Sequence, residues 1–385
     1  MNVYFDNAAT TKMSQVALDA MIPCLETVYA NASSLHTPGQ KSKEVLEKAR
    51  EEIAACIGAQ PNEIYFTSGG SEADNQAIVS AAKWGTRRNK KHIISTTFEH
   101  HAVLHTLQKL EKEGYEVTYL DVHENGMVRL EEVEAAIRPD TILVTIMTVN
   151  NEMGAIEPIE EIGRVVKECN PNTWFHTDAI QAYGKIPLRP KLQHVDMMSV
   201  SGHKLHGPKG VGFLYKDEKI RLRPLIYGGG QQEDMRSGTH DVPGIAGLGL
   251  AAEMACAHLE EHKASLEALK DYFIDSLDTL EGVTINSERG ALSAPNILSV
   301  SFEKVRAEVL LHALEEKGIY VSSGSACSSN HPGISGALKA IGVKPELLDS
   351  TIRFSFGAEN TKEEVDICMD ALRELLPVLR RFTRF

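Results

Sequence analysis

The sequence predicts an α/β protein: a large unit around a mainly parallel, seven-stranded sheet, joined to a smaller α+β unit. Three observations lead there. Between about residues 60 and 215, seven short β-rich runs alternate with longer amphipathic ones. The run at 141–149 is near-continuously apolar, as suits a strand covered on both faces. The chain, 385 residues long, exceeds one ordinary core, and its texture changes after about residue 250.

Taken in order, 64–67 reads as the first strand and 71–83 as the helix after it. Residues 92–96 and 101–113 repeat that pair, followed by a strand at 116–120 and a helix over 130–137. Pro158 opens a helix at a position where its missing N–H costs little. Strands at 174–177, 196–200 and 210–214 complete the sheet. Such alternation implies right-handed crossovers. A long charged helical stretch at 253–280 then leads to strands at 296–302, 318–321 and 350–356, with helices over 307–317 and 361–380. The expected division is 13–254 for the large domain, and 1–12 with 255–385 for the small one.

Composition narrows the function classes. Apolar content of 42% and charged content of 24% are those of a soluble globular chain. A net charge of −13 argues against a nucleic-acid surface or an anionic membrane patch. No apolar run approaches the roughly 20 residues of a membrane span. Six scattered cysteines form neither a disulfide framework nor a metal-site spacing, and the start lacks a secretory pattern, so the cytoplasm is the expected home.

In parallel sheets, ligands sit beyond the carboxyl ends of the strands, so the polar residues there form a test set. Thr67-Ser68-Gly69-Gly70-Ser71 opens a helix and suits an anion, although such a run is more often a plain turn and N-cap. His100 is either a polar helix start or an imidazole stacked on a flat ring. Asn150-Asn151 places amides after a strand. Asp178 is either an N-cap or the partner of a protonated pyridine nitrogen, with Gln181 beyond it. Lys204, after an apolar strand and beside His203, is an amine suited to carbonyl chemistry once desolvated. Cys327 lies in Ser325-Ala326-Cys327-Ser328-Ser329, a run with little to hold it in a core, where a thiol does chemistry. Cys24, Cys56, Cys256 and Cys368 read as buried small hydrophobes, and Cys169 as partly exposed without a role. An anion cradle, a stacking ring, amides, a carboxylate and an amine together describe a phosphorylated pyridine aldehyde, pyridoxal phosphate.

The same segments, with Asp6-Asn7-Ala8-Ala9-Thr10-Thr11, Glu99-His100, His176-Thr177-Asp178-Ala179-Ile180-Gln181, Ser201-Gly202-His203-Lys204, Arg236-Ser237-Gly238-Thr239 and Ser323-Gly324-Ser325-Ala326-Cys327, resemble the cysteine desulfurases of the NifS/IscS type. These are class V members of the fold-type I pyridoxal-phosphate enzymes. The resemblance implies that Lys204 carries the cofactor, Asp178 faces the pyridine nitrogen and His100 stacks on the ring. It implies that Asn151 and Gln181 bond the ring hydroxyl. Gly70, Ser71, Ser201 and His203 would hold the phosphate, with Thr239 reaching the neighbouring subunit's phosphate in a homodimer with shared active sites. Arg353 would clamp the substrate carboxylate, though on its own it reads as a strand-end surface charge; Asn31 and His36 match the substrate-side segment. The implied reaction takes sulfur from L-cysteine, leaving L-alanine and a persulfide on Cys327. The persulfide passes to an acceptor protein, an iron–sulfur scaffold or a tRNA-thiolating enzyme. Ser71 stands where the family usually has threonine, and Ala32 where proline is common. A selenocysteine lyase, a transaminase and a non-catalytic subunit of the same fold are the rival readings.

Overall fold

The computed structural model describes residues 2–324 and 335–382. Cys327 therefore lies outside the described residues. The chain begins with β1 (Val3–Tyr4), then α1 (Gln15–Glu26) and α2 (Thr37–Ile57). Neither helix is in the sequence reading. Ser14 caps α1 by accepting the Ala17 amide at 3.2 Å, and Pro23 lies inside the helix. The ring of His36 caps α2, and Gly58 ends it in the left-handed region at φ +67°.

The large sheet is built from β2 (Ile64–Thr67), β3 (His92–Thr96), β4 (Glu116–Leu120), β5 (Thr141–Thr145), β6 (Trp174–Asp178), β7 (Met197–Ser201) and β8 (Gly212–Lys216). Their spatial order is β2-β8-β7-β6-β5-β3-β4. Pairings from β7 to β4 are parallel, and β8 runs antiparallel to both neighbours. The crossovers carry α3 (Gly70–Thr86), α4 (His101–Lys112), α5 (Leu130–Ala136) and α6 (Ile159–Cys169). The expected strand 141–149 stops at Thr145. Beyond it the chain turns back, and Val149 bridges Ile156. That turn lifts Asn151 clear of the sheet. Pro158 is the cap before α6 rather than its first residue.

The expected helix 253–280 is two elements, α7 (Val242–Ala257) and α8 (Leu259–Leu277), bent by 72° at His258. Among the described residues no single helix is long and apolar enough to cross a membrane. The remaining elements are β9 (Val283–Ile285), β10 (Ile297–Phe302), α9 (Ala307–Glu316), β11 (Ile319–Tyr320), α10 (Gly336–Ala340), β12 (Thr351–Ser355) and α11 (Lys362–Phe382). β10 lies between β9 and β12 in an antiparallel sheet, while β1 pairs with β11. A core of Val3, Phe5, Phe273, Phe302, Phe354 and Phe356 holds this part together. Phe5 meets Phe356 edge-on at 5.2 Å between ring centres. The N-terminal segment thus starts in the second core, bridges β12 at Asp6–Ser355, and runs on to the ends of the large sheet.

Candidate active site

Residues beyond the carboxyl ends of β6 and β7 reach the Asp6–Thr11 segment. Lys204 follows β7 in a single helical turn, and its Nζ donates to the carbonyls of Ala8 and Ala9, the latter at 2.8 Å. Gln181 Nε2 reaches the same Ala8 carbonyl at 3.0 Å. His203 Nδ1 bonds Thr10 Oγ1 at 3.1 Å, and Thr11 Oγ1 donates to the His203 carbonyl at 2.9 Å. Lys204, Gln181 and His203 therefore converge on one short stretch of chain.

Asp178 ends β6 and is buried, with Oδ1 accepting the Ile180 amide at 2.9 Å. Burial pushes its carboxyl up to about 6, against the opposing pull of that amide and of Lys204. His100 caps α4, its Nδ1 accepting the Ala102 amide at 3.2 Å. Burial, then the charge of Lys204, lower it to about 4. The ring is neutral at pH 7, and with Nδ1 engaged its proton sits on Nε2. Burial and Lys204 lower His203 to about 4 as well.

The anion cradle survives a direct test. Gly69, the residue before α3, has φ +142° and offers no capping side chain to the first-turn amides. A methyl group on Gly70 would come within 2.0 Å of Ile180 Cδ1, and one on Gly69 would stand 3.6 Å from Ser201 Oγ. The glycines thus bring backbone amides against Ser201, where a side chain would intrude. Ser71 is exposed and shares a cavity of about 610 Å³ with His100. Backbone amides and hydroxyls suit a phosphate, a buried carboxyl suits a pyridine nitrogen, and an amine suits an aldehyde. The residues present fit pyridoxal phosphate.

Arg353, on β12, is fully buried rather than a surface charge. Its Nη2 bonds Asp6 Oδ1 at 3.0 Å and its Nη1 the Asn151 carbonyl at 2.8 Å, while its Nε has no partner among the described residues. Asp6 also accepts from Ser322 Oγ at 2.7 Å, and Ser322 bridges Arg353. The residues flanking 325–334 return to the same place. A methyl on Gly324 would lie 3.7 Å from Glu152 Oε2, and Ser335 Oγ bonds that oxygen at 2.5 Å. Glu152 is the neighbour of Asn151, so Gly324 and Ser335, the described residues on either side of 325–334, both lie close to Asn151, whose carbonyl Arg353 bonds.

Three expected residues stand apart from this set. Thr239 is exposed, on a loop tied to the start of α3 by Arg236 Nε on Glu72 Oε1 at 2.8 Å. Asn31 and His36 are also exposed, each occupied locally: Asn31 with the Ser33 amide, His36 with that of Gly39. Their segment faces the loop bearing Thr239, because Ala32, Ser33, Leu35, Gly230, Gln231 and His240 line one cleft.

Asp74, Glu99 and His176, whose sequence context suggests no role, form a buried shell around Asp178. Asp74 and Glu99 are raised well above the carboxylate range, chiefly by burial, and each feels Asp178. His176 is lowered to about 3 by burial; its Nε2 stands 3.7 Å from Asp74 and bonds Ser199 Oγ at 2.9 Å. Asp74 is the one acid on an otherwise small and apolar face of α3, with Gly70, Ala73, Ala77, Ile78 and Ala81. That break in the helical pattern is a signal legible in the sequence. Cys56 and Cys256, expected to be buried, are half-buried neighbours instead, whereas Cys24 and Cys368 are buried.

Comparison with known proteins agrees with this geometry. The profile of the aminotransferase class-V family matches residues 3–368. The chain is 44% identical over 381 residues to the cysteine desulfurase IscS of Methanosarcina thermophila, covering 99% of this chain and 93% of that one. It is 44% identical over 383 residues to the putative cysteine desulfurase IscS 1 of Bacillus subtilis (strain 168), covering 99% of each. A solved NifS-like protein superposes with a TM-score of 0.93 at 41% identity, over 98% of this chain and all of that one.

Proposed function

This chain belongs to the aminotransferase class-V family, and on that premise we propose that it is a cysteine desulfurase. It uses pyridoxal phosphate to take sulfur from L-cysteine, leaving L-alanine. The observation that carries the reading is the convergence at the Asp6–Thr11 segment. There Lys204 bonds the Ala9 carbonyl and Arg353 bonds Asp6, Asp178 lies near enough to feel the Lys204 charge, and Ser335, the first described residue after Cys327, bonds Glu152 next to Asn151.

When bound, the cofactor supplies an aldehyde for amine capture and a ring that stores the electrons released at the substrate Cα. The chain supplies the rest. Gly70, Ser71, Ser201 and His203 hold the phosphate, with Thr239 serving the partner subunit's site in a homodimer. Asp178 would face the ring nitrogen and favour its protonated form, while Asn151 and Gln181 would bond the ring hydroxyl. Lys204 Nζ would hold the aldehyde and is the amine placed to take up the substrate Cα proton. His100 covers the ring and presents Nε2–H as a donor; to accept a proton from a thiol there, the ring must first give up the Ala102 amide. Arg353 fixes the substrate carboxylate through the edge that Asp6 and Asn151 leave open, and Asn31 and His36 belong to the substrate-side segment. Cys327 thiolate attacks the substrate sulfur: an S–S bond forms, the C–S bond breaks with its electron pair left on carbon, that carbon takes a proton to become the methyl of alanine, and the sulfur stays on Cys327 as a persulfide. A sulfur-acceptor protein in the cytoplasm, an iron–sulfur scaffold or a tRNA-thiolating enzyme, then takes it.

The test is a visible spectrum of the cofactor-loaded protein before and after L-cysteine, with alanine quantified. The parent protein is expected to be yellow and to form alanine without any keto acid. Lys204→Ala is expected to lose both properties. A colourless parent protein after cofactor supplementation contradicts the proposal, and alanine formation that needs a keto acid points to a transaminase.

A further inference from the structure

Two thiols outside this site meet between α2 and α7. These helices cross closely: a methyl on Gly249 would stand 2.7 Å from Ala49 Cβ. Two turns further along each helix, the same register brings Cys56 opposite Cys256. Cys56 Sγ lies 3.4 Å from the Ala252 carbonyl, one turn before Cys256, and Cys256 Sγ lies 4.0 Å from Tyr183 Oη. The two thiols lie near enough for each to shift the other's ionisation. Both line a cavity of about 430 Å³ with Tyr183, Arg189 and Glu52.

The surroundings make the thiols unequal. The nearby Cys256 lowers Cys56 most, with further help from Tyr183 and Arg189, against burial and Glu253. Cys56 and burial raise Cys256. Arg189 is fixed beside Cys56, its Nη1 bonding the Cys56 carbonyl at 2.6 Å. That cation offsets the unfavourable end of α2, where the helix dipole disfavours a thiolate. Cys56 is thus the more acidic thiol, and Cys256 lies one turn beyond the Ala252 carbonyl that Cys56 bonds, on the wall of the same cavity.

We propose that Cys56 and Cys256 form a reversible dithiol–disulfide site, oxidised by hydroperoxides, that ties α2 to α7. Cys56 thiolate attacks a peroxide oxygen, so that an S–O bond forms, the O–O bond breaks and hydroxide leaves. The Cys256 sulfur then attacks that sulfenic acid. An S–S bond forms, the S–O bond breaks, and hydroxide departs with the Cys256 proton as water. Two electrons pass from the thiol pair to the peroxide. Reduction by an external dithiol reverses the step.

The site is tested on the reduced full-length protein with hydrogen peroxide, followed by alkylation and peptide mapping by mass spectrometry. The expected product is a single cross-link between the Cys56 and Cys256 peptides, lost after dithiothreitol, while Cys169 remains alkylated. In Cys256→Ser, the sulfenic acid is expected to accumulate at Cys56 and to be trapped by a dimedone probe. Alkylation of both thiols at peroxide levels that already oxidise Cys169 overturns the proposal, as does a Cys56 link to any other cysteine. Absence of the trapped adduct in a folded Cys256→Ser protein overturns the assignment of Cys56 as nucleophile. Mapping of the parent protein needs no variant to fold.

Discussion

Glu157 offers a quantitative test of how the turn bearing Asn151 is held. Its backbone amide donates to Thr148 at 3.0 Å, and its side-chain Oε2 accepts the Val128 amide at 3.1 Å, fastening the turn to the neighbouring loop. Its Oε1 has no partner among the described residues, and burial pushes its carboxyl from 4.5 up to about 8. A carboxyl raised on folding contributes its stability fully below the unfolded value and loses it as pH rises toward the folded one. The folded protein holds this proton at pH 7, whereas the unfolded chain has released it. Each pH unit in that window costs about 1.4 kcal/mol, so between pH 5 and pH 8 the residue removes about 3 kcal/mol. Glu157→Gln keeps an acceptor for Val128 and cannot titrate. Urea unfolding across pH 5 to 8, followed by the fluorescence of the tilted pair Trp84 and Trp174, is expected to show a flatter slope in the variant by about that amount. Identical slopes in the two proteins would refute the buried, protonated carboxyl.

Other perturbations act elsewhere. His176, lowered to about 3, has the opposite sign: stability is lost as pH falls below about 6.5, by about 2 kcal/mol at pH 5, and His176→Gln is expected to flatten that acid limb in the same unfolding assay. Asp6→Ala removes the acid that steadies Arg353, so KM for L-cysteine is expected to rise about tenfold, equivalent to about 1.4 kcal/mol, with less change in kcat. An unchanged KM in steady-state assays would detach Arg353 from substrate binding. Gly70→Ala forces Ile180 aside, and absorbance titration is expected to show pyridoxal-phosphate affinity about tenfold weaker. Unaltered affinity would remove the α3 start from the phosphate site.

Much of this arrangement is legible in the sequence because strands of a parallel sheet announce themselves by short apolar runs and end at the ligand. The strand carrying Asp178 and the one leading to Lys204 fall within a residue or so of their expected positions. The misreadings have local causes. Pro23 inside α1 reads as a breaker, though the helix continues past it to Glu26. No glycine or proline marks the 72° bend at His258, so α7 and α8 read as one helix. The burial of Arg353 depends on Asp6, 347 residues earlier in the chain, a pairing that no local pattern contains. The acid shell around Asp178 is hidden for a similar reason: Asp74 comes from α3, His176 from β6 and Glu99 from the loop after β3, and only the folded sheet joins them.

The central claim is that sulfur leaves L-cysteine and is caught by the thiol of Cys327. The most direct measurement is the mass of the Cys327 peptide after the cofactor-loaded protein meets L-cysteine without an acceptor, with alanine counted in parallel. One extra sulfur on that peptide, removable by reductant and appearing with alanine, is the expected result. Alanine formed at full rate while Cys327 stays unmodified, or undiminished sulfur release by Cys327→Ala, contradicts it.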